Sequence, residues 1–124
     1  MKKIDTKKAP AAIGPYSQAI ETGGLIFVSG QLPVDPATGE FAKGDIKDLT
    51  RQSMNNIKAI LEEAGSSMDK VVKTTVLITD LGSFGAVNEA YAEFFGDTAP
   101  ARACYEVAAL PKGALIEIEA VAEK

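Results

Sequence analysis

The segment from Ile46 to Ala64 repeats apolar residues at Ile46, Leu49, Ile57, Ile60, Leu61 and Ala64, all on one face of a helix. A helix with one apolar face needs an apolar surface to lie on. The chain supplies one on either side: "LIFVSG" (Leu25–Gly30) before it and "KVVKTTVLIT" (Lys70–Thr79) after it, both strand-like runs rich in apolar residues. A strand–helix–strand crossover of this kind is right-handed. A second helix is predicted from Ser83 to Phe95, with Phe84, Val87, Tyr91, Phe94 and Phe95 as its apolar stripe. Asp45 is placed to cap the first helix, Gly65 to end it and Gly96 to end the second.

The remaining elements read as strands. Tyr16–Glu21 and Leu25–Gly30 flank Gly23-Gly24, a hairpin-turn signal, and "DPATGE" follows as a tight loop. Near the end, "ARACYEVAAL" and "ALIEIEAVA" are predicted to form a hairpin around "PKG". The order β-β-α-β-α-β-β predicts an α+β fold, a mixed β-sheet with two helices on one face. No repeat, low-complexity tract or linker interrupts it, so residues 1–124 are expected to form a single domain. The sheet face away from the helices should retain apolar residues, because Leu25 and Phe27 alternate with Ile26 and Val28, and Leu77 with Val76 and Ile78. An uncovered face of that kind predicts self-association.

Composition narrows the chemistry. The 124 residues include no histidine and one cysteine, which excludes Ser-His-Asp and Cys-His devices and removes the commonest metal ligands. Acid–base work must then fall to carboxylates, tyrosine, lysine, the one thiol or water. A net charge of −4 argues against extended binding to a nucleic-acid backbone. The lysines Lys2, Lys3, Lys7 and Lys8 read as a solvated, fraying terminus. No apolar run reaches membrane-span length and "MKKIDTKKAP" lacks the apolar core of a secretory signal, so the expected location is cytoplasmic.

Several residues could carry a site. Arg102, Cys104 and Glu106 share one face of their strand. Arg102 offers a fork of donors suited to a carboxylate, or else guards a sheet edge or pairs with Glu106. Cys104 could be a nucleophile activated by Arg102, or a small buried apolar residue. Glu117 and Glu119 make one face of "LIEIEAV" acidic, which suits either a solvated strand or a carboxylate that activates water. Tyr16 could wall a pocket, and Gly30, after Ser29, could admit a ligand close to the backbone or form a bulge. Asn88 reads as an interhelix or loop hydrogen-bonding residue.

Taken in order, "APAAIGPYSQAI", "SGQLPVDPATGE", "RQSMNNIKAILEEAG", "VVKTTVLITDL", "VNEAYAEFF" and "PARACYEVAALPKGALIEIEA" resemble the RidA (YjgF) family along nearly the whole chain. The resemblance implies a chorismate-mutase-like fold and a homotrimer with active sites in the clefts between subunits. It implies hydrolysis of 2-imino acids, released by pyridoxal-phosphate enzymes such as threonine dehydratase, to 2-keto acids and ammonia, with no cofactor and no metal. By motif, Arg102 resembles the family's carboxylate-binding arginine and Glu117 its water-handling glutamate. Tyr16, Ser29, Gly30, Asn88 and Cys104 match pocket-lining positions, Cys104 as wall rather than nucleophile. Ala109 and the short "FFGDTA" segment depart from some relatives and bear on the pocket rim. The alternative carried by the resemblance is a trimeric small-ligand-binding regulator, or a translation inhibitor or endoribonuclease-like member of the same family.

Overall fold

A computed structural model describes all 124 residues. The strands are β1 (Lys2–Ile4), β2 (Ala19–Thr22), β3 (Leu25–Gln31), β4 (Val71–Ile78), β5 (Ala101–Glu106) and β6 (Ile116–Glu123), and the helices are α1 (Ile46–Glu63) and α2 (Phe84–Ala92). They form one mixed sheet in the order β1-β2-β3-β6-β4-β5 with both helices on one face, as predicted. Only β4 and β5 pair in parallel. No helix is long and apolar enough to cross a membrane.

The local signals act as expected at the first helix and the hairpin. The Asp45 carboxylate accepts from the backbone N–H groups of Lys47 and Asp48, while Asp48 accepts from the N–H of Asp45, closing a capping box. Gly23 and Gly24 both take positive φ, which sets the tight β2–β3 turn. Side chains alternate across the sheet. Ile26 and Val28, Val76 and Ile78, and Ile116 and Ile118 are buried beneath Met54, Ile57, Ile60 and Leu61 of α1 and Val87 and Tyr91 of α2. This single layer of interdigitated apolar side chains is the core.

The structure corrects five expectations. The final two strands do not form a hairpin: β6 enters the middle of the sheet between β3 and β4, and β5 lies at the edge against β4. The alternating isoleucines of β6 need burial under α1, whereas β5, with Arg102 and Glu106, suits an edge. That strand also stops at Glu106 instead of continuing to Leu110. The second strand begins at Ala19, not Tyr16. The segment before it is held by the buried Gln18 side chain, which accepts from the N–H of Thr6 and donates to the carbonyls of Thr6 and Pro10. The N-terminus does not fray, because Lys2–Ile4 pairs with β2 and buries Ile4. Finally, α2 spans Phe84–Ala92, shorter at both ends than expected, with a 3-10 turn at Leu81–Ser83 ahead of it.

The central slot occupied by β6 gives a direct test. Ile118 is fully buried between sheet and helices. Replacing it with alanine should cost about 2–5 kcal/mol in denaturant unfolding at fixed protein concentration, and a loss under about 1 kcal/mol would place this strand outside the core.

Candidate functional site

Arg102 lies on β5 opposite Thr74 of β4, and Cys104 lies opposite Val76. Thr74 and Val76 are buried toward the helices, so Arg102 and Cys104 project to the helix side. There α2 receives the arginine. Phe84, Asn88 and Tyr91 recur at helical spacing and present one face to it. Arg102 Nη1 donates to Asn88 Oδ1 at 2.8 Å, and its guanidinium carbon stands 4.9 Å from the Tyr91 ring centre and 5.5 Å from that of Phe84. No carboxylate forms an ion pair with it. Glu106, considered as its partner, instead accepts from the backbone N–H of Leu81 at 2.9 Å and fastens the turn before α2. Asn88 therefore bridges helix to strand and not helix to helix or loop.

Cys104 is partly buried beside this group. Burial pushes its thiol pKa up, with the positive charge of Arg102 opposing. A thiol kept protonated in this way suits a wall better than a nucleophile.

Glu117 occupies the other side of the sheet. It pairs in register with Leu77, and its neighbours Ile116 and Ile118 point into the core. Its carboxyl lies over Gly30, where any Cβ would come within 2.8 Å of the Glu117 carboxyl carbon. Gly30 therefore has a specific role: the absence of a side chain leaves space for the glutamate. A shift in β3–β6 register between Val28 and Gln31 marks the same place, so Gly30 sits in an irregularity as well as beneath a side chain. Ser29 Oγ donates to the Ser17 carbonyl at 2.6 Å, and the Ser29 N–H donates to the Gln18 carbonyl at 2.9 Å. These bonds hold the loop bearing Tyr16, which is 51% exposed, alongside Ser29 and Gly30. Burial raises the Glu117 pKa, and the neighbouring Glu119 raises it further.

The seven candidate residues thus fall into two groups, Arg102, Asn88 and Cys104 on the helix side and Tyr16, Ser29, Gly30 and Glu117 in the other. A single chain does not bring Arg102 and Glu117 together. A shallow depression on the open face is lined by Phe27, Ser29, Lys73, Thr75, Glu119 and Val121, and contains neither. No group of three or more His, Cys, Asp or Glu residues is arranged to hold a metal ion. Sequence reading missed Phe84 and Tyr91 as part of the arginine's surroundings, because both also belong to the apolar stripe of α2. Their spacing around Asn88 is the signal that links them.

The family described as endoribonuclease L-PSP matches residues 6–124. A RutC family protein from Pyrococcus abyssi is 59% identical over 98% of this chain and 95% of its own. The 2-iminobutanoate/2-iminopropanoate deaminase of Mus musculus is 50% identical over 98% of this chain and 90% of its own. The structure of E. coli TdcF with bound serine superposes with a TM-score of 0.95 at 47% identity, covering 100% of this chain and 99% of that one. With the family matched over almost all of its length and both helices and the mixed sheet in common, this chain belongs to the RidA/YjgF (endoribonuclease L-PSP) family.

Proposed function

We propose that this protein hydrolyses small 2-imino acids to 2-keto acids and ammonia. The observation that carries the proposal is Arg102: a partly buried guanidinium, fixed by an amide and two rings, with no carboxylate of its own. A cation held in this way is prepared for an external carboxylate, which it can meet with two parallel hydrogen bonds. The deaminase name of the mouse relative and the serine bound to E. coli TdcF, itself a small carboxylate, agree with this reading.

In the proposed reaction Arg102 pairs with the substrate carboxylate and orients the adjacent C=N carbon. Glu117, as carboxylate, takes a proton from water as the water oxygen bonds to that carbon, and the C=N π pair becomes an amine lone pair that is protonated. The resulting carbinolamine then loses its hydroxyl proton as the C–N bond breaks, leaving the 2-keto acid and ammonia. Glu117 is available to return the proton to nitrogen. Its raised pKa makes it a stronger base than an ordinary glutamate.

Because Arg102 and Glu117 face opposite sides of one sheet, we propose that the working site joins the Arg102 group of one copy to the Glu117 group of another. The open sheet face supports this, since it leaves Phe27 and Tyr105 about half exposed. A homotrimer, as the family resemblance implies, would bring such faces together with one site at each junction. The family's description as an endoribonuclease offers a second reading, but the net charge of −4 disfavours an RNA backbone as ligand.

Arg102→Ala should reduce ammonia release, in an assay coupled to a serine or threonine dehydratase, to the uncatalysed rate. Wild-type rates in that variant would remove Arg102 from the reaction. Glu117→Gln should retain 2-keto acid binding and slow turnover by roughly 10²–10⁴-fold, and unchanged turnover would remove it as the base. The pH profile supplies a third test. The active form is the carboxylate, so kcat/KM should fall as pH drops through the raised Glu117 pKa, above the usual 4.5. Glu119→Gln removes one of the two causes of that rise, so the acid limb should move to lower pH. An unmoved limb would mean that Glu117 does not set it.

A further inference from the structure

Arg102 needs to be held without being neutralised, and the structure holds it with neutral groups alone. Beyond Asn88, its nearest support is the face of Tyr91, a residue that is 5% exposed. Tyr91 is itself anchored: its hydroxyl and Thr74 Oγ1 share a hydrogen bond of 2.6 Å. Thr74 is also the register partner of Arg102 across the β4–β5 ladder. A closed ring of contacts results, running from Thr74 on β4 to Tyr91 on α2, to Arg102 on β5, and back through the ladder to Thr74. Phe95 packs against the Tyr91 ring from behind, with ring centres 5.0 Å apart. Burial keeps Tyr91 in its neutral phenol form, so it adds no negative charge beside the guanidinium.

We infer that Tyr91, locked by Thr74, is a positioning residue that sets the guanidinium plane of Arg102 for a carboxylate ligand. The inference rests on the proposed binding of 2-imino and 2-keto acids and identifies what gives Arg102 its geometry. An acidic counter-ion would fix the arginine equally well but would compete with the substrate for the same donors. An aromatic face attracts the cation while leaving its edge donors free. Phe84, Asn88 and Tyr91 come from one helix face, so α2 presents the arginine as a unit.

The test uses the full-length protein, with 2-oxobutanoate as the probe ligand. Tyr91→Phe keeps the ring and loses the tether; Thr74→Val loses the tether from the other side. Each should weaken 2-oxobutanoate binding about three- to tenfold by calorimetry and raise KM, with kcat nearly unchanged. The double variant should bind no more weakly than either single one, because both remove the same bond. Binding as tight as wild type in both single variants, with only a lowered melting temperature, would overturn the inference. The Arg102 Nη signals give a readout that does not depend on ligand. They should be resolved in the wild-type NMR spectrum, where rotation of the guanidinium is hindered, and merge in Tyr91→Leu; signals unaffected by that change would also overturn it. A wild-type protein that fails to bind 2-oxobutanoate would refute the functional reading on its own, and the NMR result would then decide whether Tyr91 holds Arg102.

Discussion

A β-strand sends successive side chains to opposite faces, and in this sheet that alternation separates the two groups with the strongest claim to chemistry. Arg102 aligns with Thr74 and faces the helices, while Glu117 aligns with Leu77 and faces away. The separation cannot be relieved by side-chain rotation, because β4 and the buried row of Val76, Ile78, Ile116 and Ile118 lie between the two sides. The same alternation that buries the core therefore divides the candidate residues between the two faces of the sheet. On the proposed reading each chain carries two half-sites, and the apolar residues of the open face, Phe27 among them, would bring chains together.

The half-sites differ in how they treat charge. Around Arg102 every close partner is neutral: an amide oxygen, two aromatic rings and a protonated thiol. Around Glu117 the surroundings work against ionisation, through burial and the neighbouring Glu119. One half-site thus keeps a cation without a counter-ion, and the other keeps a carboxylate that gains from accepting a proton. These are complementary needs for a reaction on a small planar anion that begins with addition of water. In the proposed reaction a chain with no histidine meets them with an anchor and one tuned glutamate.

Much of this was legible in the sequence. The helix faces, the capping Asp45, the Gly23-Gly24 turn and the alternation of Ile116 and Ile118 with acidic residues are local signals with local causes, and they hold in the structure. Strand order was not legible, since pairing partners depend on which strand competes best for the central slot. The isoleucines of β6 win that competition and displace the expected hairpin with β5. Tyr16 and the N-terminal strand were misread because the buried Gln18 side chain, and not strand periodicity, organises that segment. Arg102 and Glu117 stood out by residue type and by resemblance, yet their placement on opposite faces appears only once the register is known. Tyr91 was hidden by its double role, core residue on one side and cation support on the other.

The central claim, that one working site needs two chains, is tested most directly by subunit complementation. Arg102→Ala and Glu117→Gln protein, each inactive alone, are unfolded together, refolded as an equal mixture and assayed for imine hydrolysis. If each site takes its arginine from one chain and its glutamate from another, random mixing should restore activity to about a quarter of wild type, since one junction in four then carries both intact residues. A mixture that stays as inactive as its parents, with mixed oligomers demonstrated by mass spectrometry, would contradict it.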